Sequence, residues 1–112
     1  MISVGSLAKA LNLEFAAGEQ GSAKEVTGVY ICDLLSFAMV KAPAGAAWVT
    51  VMNNLNVIAV ASFANISCVI MPHGIVPDSL AAEKANELGL PILLSELPAF
   101  ETGQGIFEEI NN

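Results

Sequence analysis

Six polar residues and one glycine stand where short apolar runs end, and their types are those that hold or orient small molecules. Asp33 follows the run Val26–Ile31, and Thr50, Asn53 and Asn54 close the run that carries Trp48. His73 and Gly74 follow Cys68–Met71, and Ser95 follows Ile92–Leu94. Carboxylate, hydroxyl and amide groups hydrogen-bond ligands, and histidine is the side chain that titrates nearest neutrality. If the runs are parallel strands, all seven residues gather at the carboxyl edge of one sheet, where open α/β sheets bind ligands. Asp and Asn are equally the preferred helix caps, so Asp33, Asn53 and Asn54 also fit the starts of the helices that follow. The two roles are compatible, because a helix start attracts anions.

These residues do not assemble an enzyme. His73 sits in a Pro-His-Gly turn, and acid–base work would need a partner that only topology could supply, with Asp33 or Glu96 as the candidates. The chain has no Gly-x-x-x-x-Gly-Lys-Ser/Thr loop, no Gly-x-Gly-x-x-Gly after a strand and no Gly-x-Ser-x-Gly elbow. One His and two Cys separated by 36 positions give no metal-ligand spacing. No catalytic residue, metal or cofactor is expected. Cys32 and Cys68, each inside an apolar run, read as buried thiols of a reducing compartment.

The elements that would position the strand-end residues follow from patterning. Val4, Leu7, Ala8 and Leu11 have helical spacing, with Ser3 as cap. Leu13–Ala16 reads as a short strand, and Gly18–Ser22 as a turn. Val26–Ile31 reads as a second strand, with a helix from Leu34 to about Lys41 capped by Asp33. A strand over Ala47–Met52 precedes a helix over Leu55–Phe63 that is apolar nearly all round and must be covered on more than one side. Cys68–Met71 is a buried strand, and Asp78 caps a helix from Ser79 to Leu88 that Gly89 ends. Ile92–Leu94 is a last strand, and Pro98 opens a helix toward Ile110 that Gly103 and Gly105 weaken. Alternating apolar strands and helices predict one α/β domain over residues 1–112, with a mainly parallel sheet of four to five strands flanked by helices. Strand order is not written in such a pattern.

Composition narrows the partners. The 112 residues are 54% hydrophobic and 13% charged, with four Lys, no Arg, eleven acidic residues and a net charge of −7. A disordered tail is excluded, and so is the basic stripe that a nucleic acid requires. Without Arg there is no bidentate clamp for phosphate. The 36 residues between Lys41 and Asp78 carry no charge, but Asn53, Asn54, Asn56, Asn65, Pro43 and Pro72 cut them below the roughly 20 residues of a membrane span. No basic leader precedes an apolar segment at the start, so a soluble cytoplasmic protein is expected. Fifteen charged side chains cover a domain of this size thinly, which predicts an exposed apolar patch and a homodimer or docked partner.

The order of segments resembles a known family. The opening helix with Leu7-Ala8 and Leu11, then Val26-Thr-Gly-Val-Tyr-Ile-Cys-Asp-Leu-Leu35, resembles the start of DRTGG domains. The resemblance continues through Ala47-Trp-Val-Thr50, Asn56-Val-Ile-Ala-Val-Ala61, Cys68-Val-Ile-Met71 and Leu90-Pro-Ile-Leu93, across almost the whole chain. The Asp-Arg-Thr-Gly-Gly signature itself does not stand here; the corresponding loop reads Pro72-His73-Gly74-Ile75. The resemblance implies a fold similar to the N-terminal domain of HPr kinase/phosphorylase and, more distantly, to that of Mur ligases. The P-loop domain that gives HPr kinase its activity has no counterpart in these residues. What the resemblance implies is a regulatory or dimer-forming module. Larger relatives join it to CBS domains that bind adenine nucleotides, and stand-alone versions are associated with iron-only hydrogenase systems. Two functional expectations result: a non-enzymatic interaction module acting on a partner protein, or a sensor of a small ligand, such as a nucleotide, at the carboxyl ends of the strands.

Overall fold

In the computed structural model, which describes residues 1–112, Ser3 is extended and its side chain accepts the Ser6 N–H at 3.1 Å. Helix α1 (Val4–Leu11) starts there, buries Val4, Leu7 and Ala8, and ends on Asn12 in the left-handed conformation. Strand β1 (Ile2–Ser3) precedes it and β2 (Glu14–Ala17) follows, leading into a 3-10 turn at Glu19–Gly21. The remaining elements are β3 (Glu25–Val26), β4 (Gly28–Ile31), α2 (Leu35–Lys41), β5 (Ala46–Val49), α3 (Leu55–Phe63), β6 (Cys68–Met71), α4 (Ser79–Leu88), β7 (Ile92–Leu94) and α5 (Ala99–Ile110).

The main sheet has the order β2-β7-β6-β5-β4, and β1 pairs with β3 in a separate antiparallel ribbon. Strands β4 to β7 are parallel neighbours in chain order, and β2 lies antiparallel on the β7 edge. Successive right-handed crossovers in one direction put α2, α3 and α4 on the same face, each packed on the next. The opposite face carries α1 and α5, with α5 lying over β4 and β5. Side chains alternate accordingly. Ala46, Trp48, Val69, Met71 and Ile92 meet the first layer, whereas Ala47, Val49, Cys68, Ile70 and Leu93 meet the second.

Helix α3 is covered on only part of its all-round apolar surface. Flanked by α2 and α4, it buries Val57, Ile58, Val60 and Ala61, while Leu55, Ala59 and Phe63 stay exposed on its outer side. Gly103 explains why α5 tolerates a poor helix former. A Cβ there would lie 2.8 Å from Ile31 Cδ1, so the glycine lets α5 approach β4 closely. Gly18 works similarly at φ +68°, where a Cβ would stand 2.0 Å from the Leu90 carbonyl oxygen.

Three sequence expectations are corrected. The strand predicted over Val26–Ile31 is two strands, because Glu25–Val26 pairs with Ile2–Ser3 while Gly28–Ile31 pairs with Ala46–Val49. The strand predicted to reach Met52 stops at Val49, since the Thr50 hydroxyl and the Val51 N–H turn to Asp33 Oδ1 at 2.8 and 2.9 Å. For the same reason Asp33 does not cap α2. That helix starts one residue later than expected, at Leu35, with Leu34 in the N-cap position and no side-chain cap.

Candidate ligand-binding site at the carboxyl end of the sheet

The sequence-predicted residues do lie beyond the carboxyl ends of β4 to β7, but the topology divides them. Connections after β4, β5 and β6 all leave toward the α2–α3–α4 layer, so no crevice opens between these strands. The connection after β7 leaves toward α5 on the other face. Between β6 and β7 the paths therefore diverge, which is the switch point where α/β sheets open a crevice.

On the β4 side the polar groups are used by the fold. Asp33 and Thr50 are bonded to each other, and Thr50 Oγ1 also accepts the Met52 N–H at 3.2 Å. The Trp48 indole, fully buried, donates to the Cys32 carbonyl at 2.8 Å. Asn54 is the N-cap of α3 and accepts the Asn56 N–H, while Asn53 is no cap: its amide donates to the Val76 carbonyl at 2.8 Å. Asp78 caps α4 through the Ala81 N–H at 2.8 Å. The Asn53 amide bond, with the Asp78 N–H donating to the Asn53 carbonyl at 3.0 Å, ties the loop after β5 to the loop after β6.

At the switch point the two loops are stitched by backbone. The His73 N–H donates to the Leu97 carbonyl and the Gly74 N–H to the Ser95 carbonyl, at 2.9 and 3.0 Å. Both residues have positive φ, +61° and +72°, a conformation that histidine tolerates better than most side chains. The His73 side chain is exposed and makes no ion pair; the only one in the chain joins Lys84 and Glu87 on α4 at 4.0 Å. No three His, Cys, Asp or Glu side chains converge as metal ligands would.

Beside this stitch lies a cavity of about 560 Å³. Gly74, Ser95, Glu96 and Leu97 form one wall, Leu11 to Glu14 a second, and Glu101, Thr102 and Gly105 of α5 a third. Ser95 and Thr102 are buried and hydrogen-bonded at 2.8 Å. Thr102 also donates to the Leu97 carbonyl and Ser95 accepts the Leu97 N–H, so the two hydroxyls pin the loop to the first turn of α5. Of the predicted residues only Gly74 and Ser95 line the cavity. Asn12, Glu14, Glu101 and Thr102 were not singled out by sequence. They come from the end of α1, the start of β2 and the first turn of α5, segments more than 80 residues apart in the chain, and no local pattern announces that approach.

Two groups, one buried and one half-buried, are perturbed without belonging to this site. Burial pushes the Cys68 thiol up to about 12, against a smaller opposing pull from Lys24. The Tyr30 phenol is also pushed up, first by burial and then by the neighbouring Cys32 thiol, and its hydroxyl is the one buried side-chain polar atom left without a hydrogen-bond partner.

The chain folds as a single α/β domain with a cavity beside the carboxyl ends of its last strands. Residues 6–108 match the DRTGG domain, and the chain belongs to that family. Among solved structures it is similar to the CBS and DRTGG domains of the regulatory region of Clostridium perfringens pyrophosphatase, complexed with the activator diadenosine tetraphosphate. The TM-score is 0.71 at 15% identity, over 93% of this chain and 45% of that one, so the chain spans less than half of the regulatory region it resembles. No curated protein matches the chain in sequence.

Proposed function

We propose that this domain is a non-enzymatic regulatory module that acts on a partner protein as a homodimer, its two copies meeting at the β4 end of the sheet. The observation that carries this reading is the apolar character of that end. β4 is an edge strand, α2 has no helix on its outer side, and α5 covers β4 from the other face. Phe100, Phe107, Ile31 and Phe37 are 69%, 62%, 46% and 51% exposed, and Leu34 and Val40 are exposed beside them in the chain. Val29, Ile31, Phe100, Gly103 and Phe107 also line a shallow groove of about 340 Å³ that could receive a side chain of the second copy.

Taking roughly 200 Å² for an aromatic side chain and somewhat less for an aliphatic one, these six residues offer on the order of 600 Å² per protomer. A standard interface buries about 800 Å² per partner. A patch this apolar on a small soluble domain is characteristic of an interface. A twofold axis through the β4 edge would use the same patch on both copies. The partner implied by the family resemblance belongs to a hydrogenase system, and the setting is the cytoplasm. Light scattering at tens of micromolar is expected to give twice the monomer mass, and Phe100→Asp with Phe107→Asp to give the monomer with an unchanged circular dichroism spectrum. A wild-type monomer at that concentration would remove the homodimer from the proposal.

The cavity at the switch point favours a second reading, a sensor of a small ligand. A volume of about 560 Å³ lies in the range of small-molecule sites. A ligand panel read by amide chemical shifts at Gly74, Ser95 and Gly105 tests it.

A further inference from the structure

We infer that two copies of this chain join by strand pairing: β4 of one lies antiparallel beside β4 of the other, about a twofold axis through Tyr30, and the two sheets become one. The inference rests on the homodimer reading and adds the contact that joins the copies and its register. It starts from where the backbone of β4 points. β4 and β5 run parallel, with Tyr30 opposite Trp48 and Ile31 opposite Val49. The Cys32 N–H donates to the Val49 carbonyl at 3.3 Å, so the even-numbered residues of this strand aim their polar backbone groups at β5. Strand backbone alternates, and the N–H and C=O groups of Val29 and Ile31 therefore aim away from the sheet. No backbone bond from a turn, loop or cap reaches them.

Natural edge strands are guarded against such pairing by charges, prolines, bulges or a covering element. The opposite edge is guarded in these ways. Glu14 stands on β2, its ladder slips between Phe15 and Ala17, and α4 packs against it. Gly28-Val-Tyr-Ile31 has no charge, no proline and no slip in its ladder. Strand pairing also accounts for apolar side chains on both faces of this edge. Phe100 and Phe107 are exposed on α5 over one face, and Phe37 and Val40 on α2 over the other. A twofold axis normal to the sheet sets α5 beside its copy and α2 beside its copy, so both groups are covered together. A contact through one helix layer would cover only one of them.

The register follows from the free groups. With Val29 opposite Ile31 of the second copy, each residue exchanges both its N–H and its C=O bond, and symmetry repeats the exchange. Moving the axis to Val29 would set Ile31 opposite Thr27, whose N–H is already given to the Gly45 carbonyl at 2.9 Å. Moving it to Ile31 would set Val29 opposite Asp33, beyond the end of the strand. In the register through Tyr30, Gly28 faces Cys32 of the second copy as a pair without mutual backbone bonds. Such pairs have Cα atoms about 4.5 Å apart, within the span of a disulfide. Gly28 does not have positive φ, and a Cβ there would meet nothing within 4 Å, so a side chain fits.

Gly28→Cys tests the register. On mild oxidation it is expected to give a covalent dimer whose peptide map joins position 28 to Cys32. Wild type, and Gly28→Cys with Cys32→Ser, are expected to give none, because like positions then stand several residues apart. Amide hydrogen exchange on wild type tests the pairing without a substitution. Val29 and Ile31 are expected to exchange about tenfold or more slowly where light scattering gives the dimer than where it gives the monomer, with Tyr30, already bonded to β5, changing less. A dimer by scattering with neither the 28–32 bridge nor this protection would overturn the strand pairing and leave the homodimer standing. Protection with a Cys32–Cys32 bridge in wild type would overturn the register. A monomer at every concentration would remove the homodimer and the strand pairing together, leaving the edge to a strand of a different chain.

Discussion

Cys68 and Cys32 carry the same thiol in opposite surroundings, and the difference fixes how stability responds to alkali. Cys68 is fully buried between β5, β7 and the α1–α5 layer, and its thiol is raised from 9.0 to about 12. Cys32 is half-buried at the end of β4. For a raised thiol, the unfolded chain ionises first while the folded one keeps its proton. The stabilisation is therefore complete below about pH 9 and is lost progressively toward pH 12, at up to about 1.4 kcal/mol per pH unit. Tyr30 acts in the same direction, so the Cys68 share is isolated by comparing wild type with Cys68→Ala. Urea unfolding at about pH 9 and about pH 10.5 is expected to show wild type losing about 2 kcal/mol more than the variant across that interval. Parallel losses would mean that the thiol is not held neutral by burial. Asp33 teaches a related lesson at the same scale. A carboxylate one residue before a helix is by type a cap, yet its two bonds run to Thr50 and Val51, because those donors lie one strand away and the sequence does not show that adjacency.

Among the elements, periodicity and punctuation located helices more reliably than strands. The bounds of α1, α3 and α4 follow from Ser3, Asn54 and Asp78 as caps and from Gly89 as a stop, all of which the structure uses as such. These signals are local and chemical. Strand ends were less legible: nothing local at Thr27 says that the residues before and after it join different sheets, and Thr50 leaves its ladder for a partner seventeen residues back. The candidate site was legible only where it lies on strand ends. Gly74 and Ser95 were visible as residues after apolar runs, whereas the walls from α1 and α5 depend on which face each crossover takes. Asn54 and Asn53, neighbours of one type, now predict unequal effects. Asn54→Ala removes the cap of α3 and is expected to cost about 1 kcal/mol in urea unfolding. Asn53→Ala removes only a bond between loops and should cost less. A larger loss for Asn53 would mean that the loops after β5 and β6, and not the helix start, limit the stability of this region.

At the scale of the molecule, charge and apolar surface pull against each other. Each copy carries a net charge of −7, so two copies brought together repel over distances that salt can screen. The proposed contact at the β4 end is made of Ile31, Leu34, Phe37, Val40, Phe100 and Phe107, none of which can form an ion pair, and the chain's one ion pair lies on α4. Raising the salt therefore removes repulsion without removing any attraction. The dimer dissociation constant, from sedimentation equilibrium, is expected to fall between about 20 mM and about 500 mM sodium chloride. A dimer that loosens with salt would have to be held by charged groups, and the contact would then lie away from β4, nearer the acidic and lysine-bearing α4.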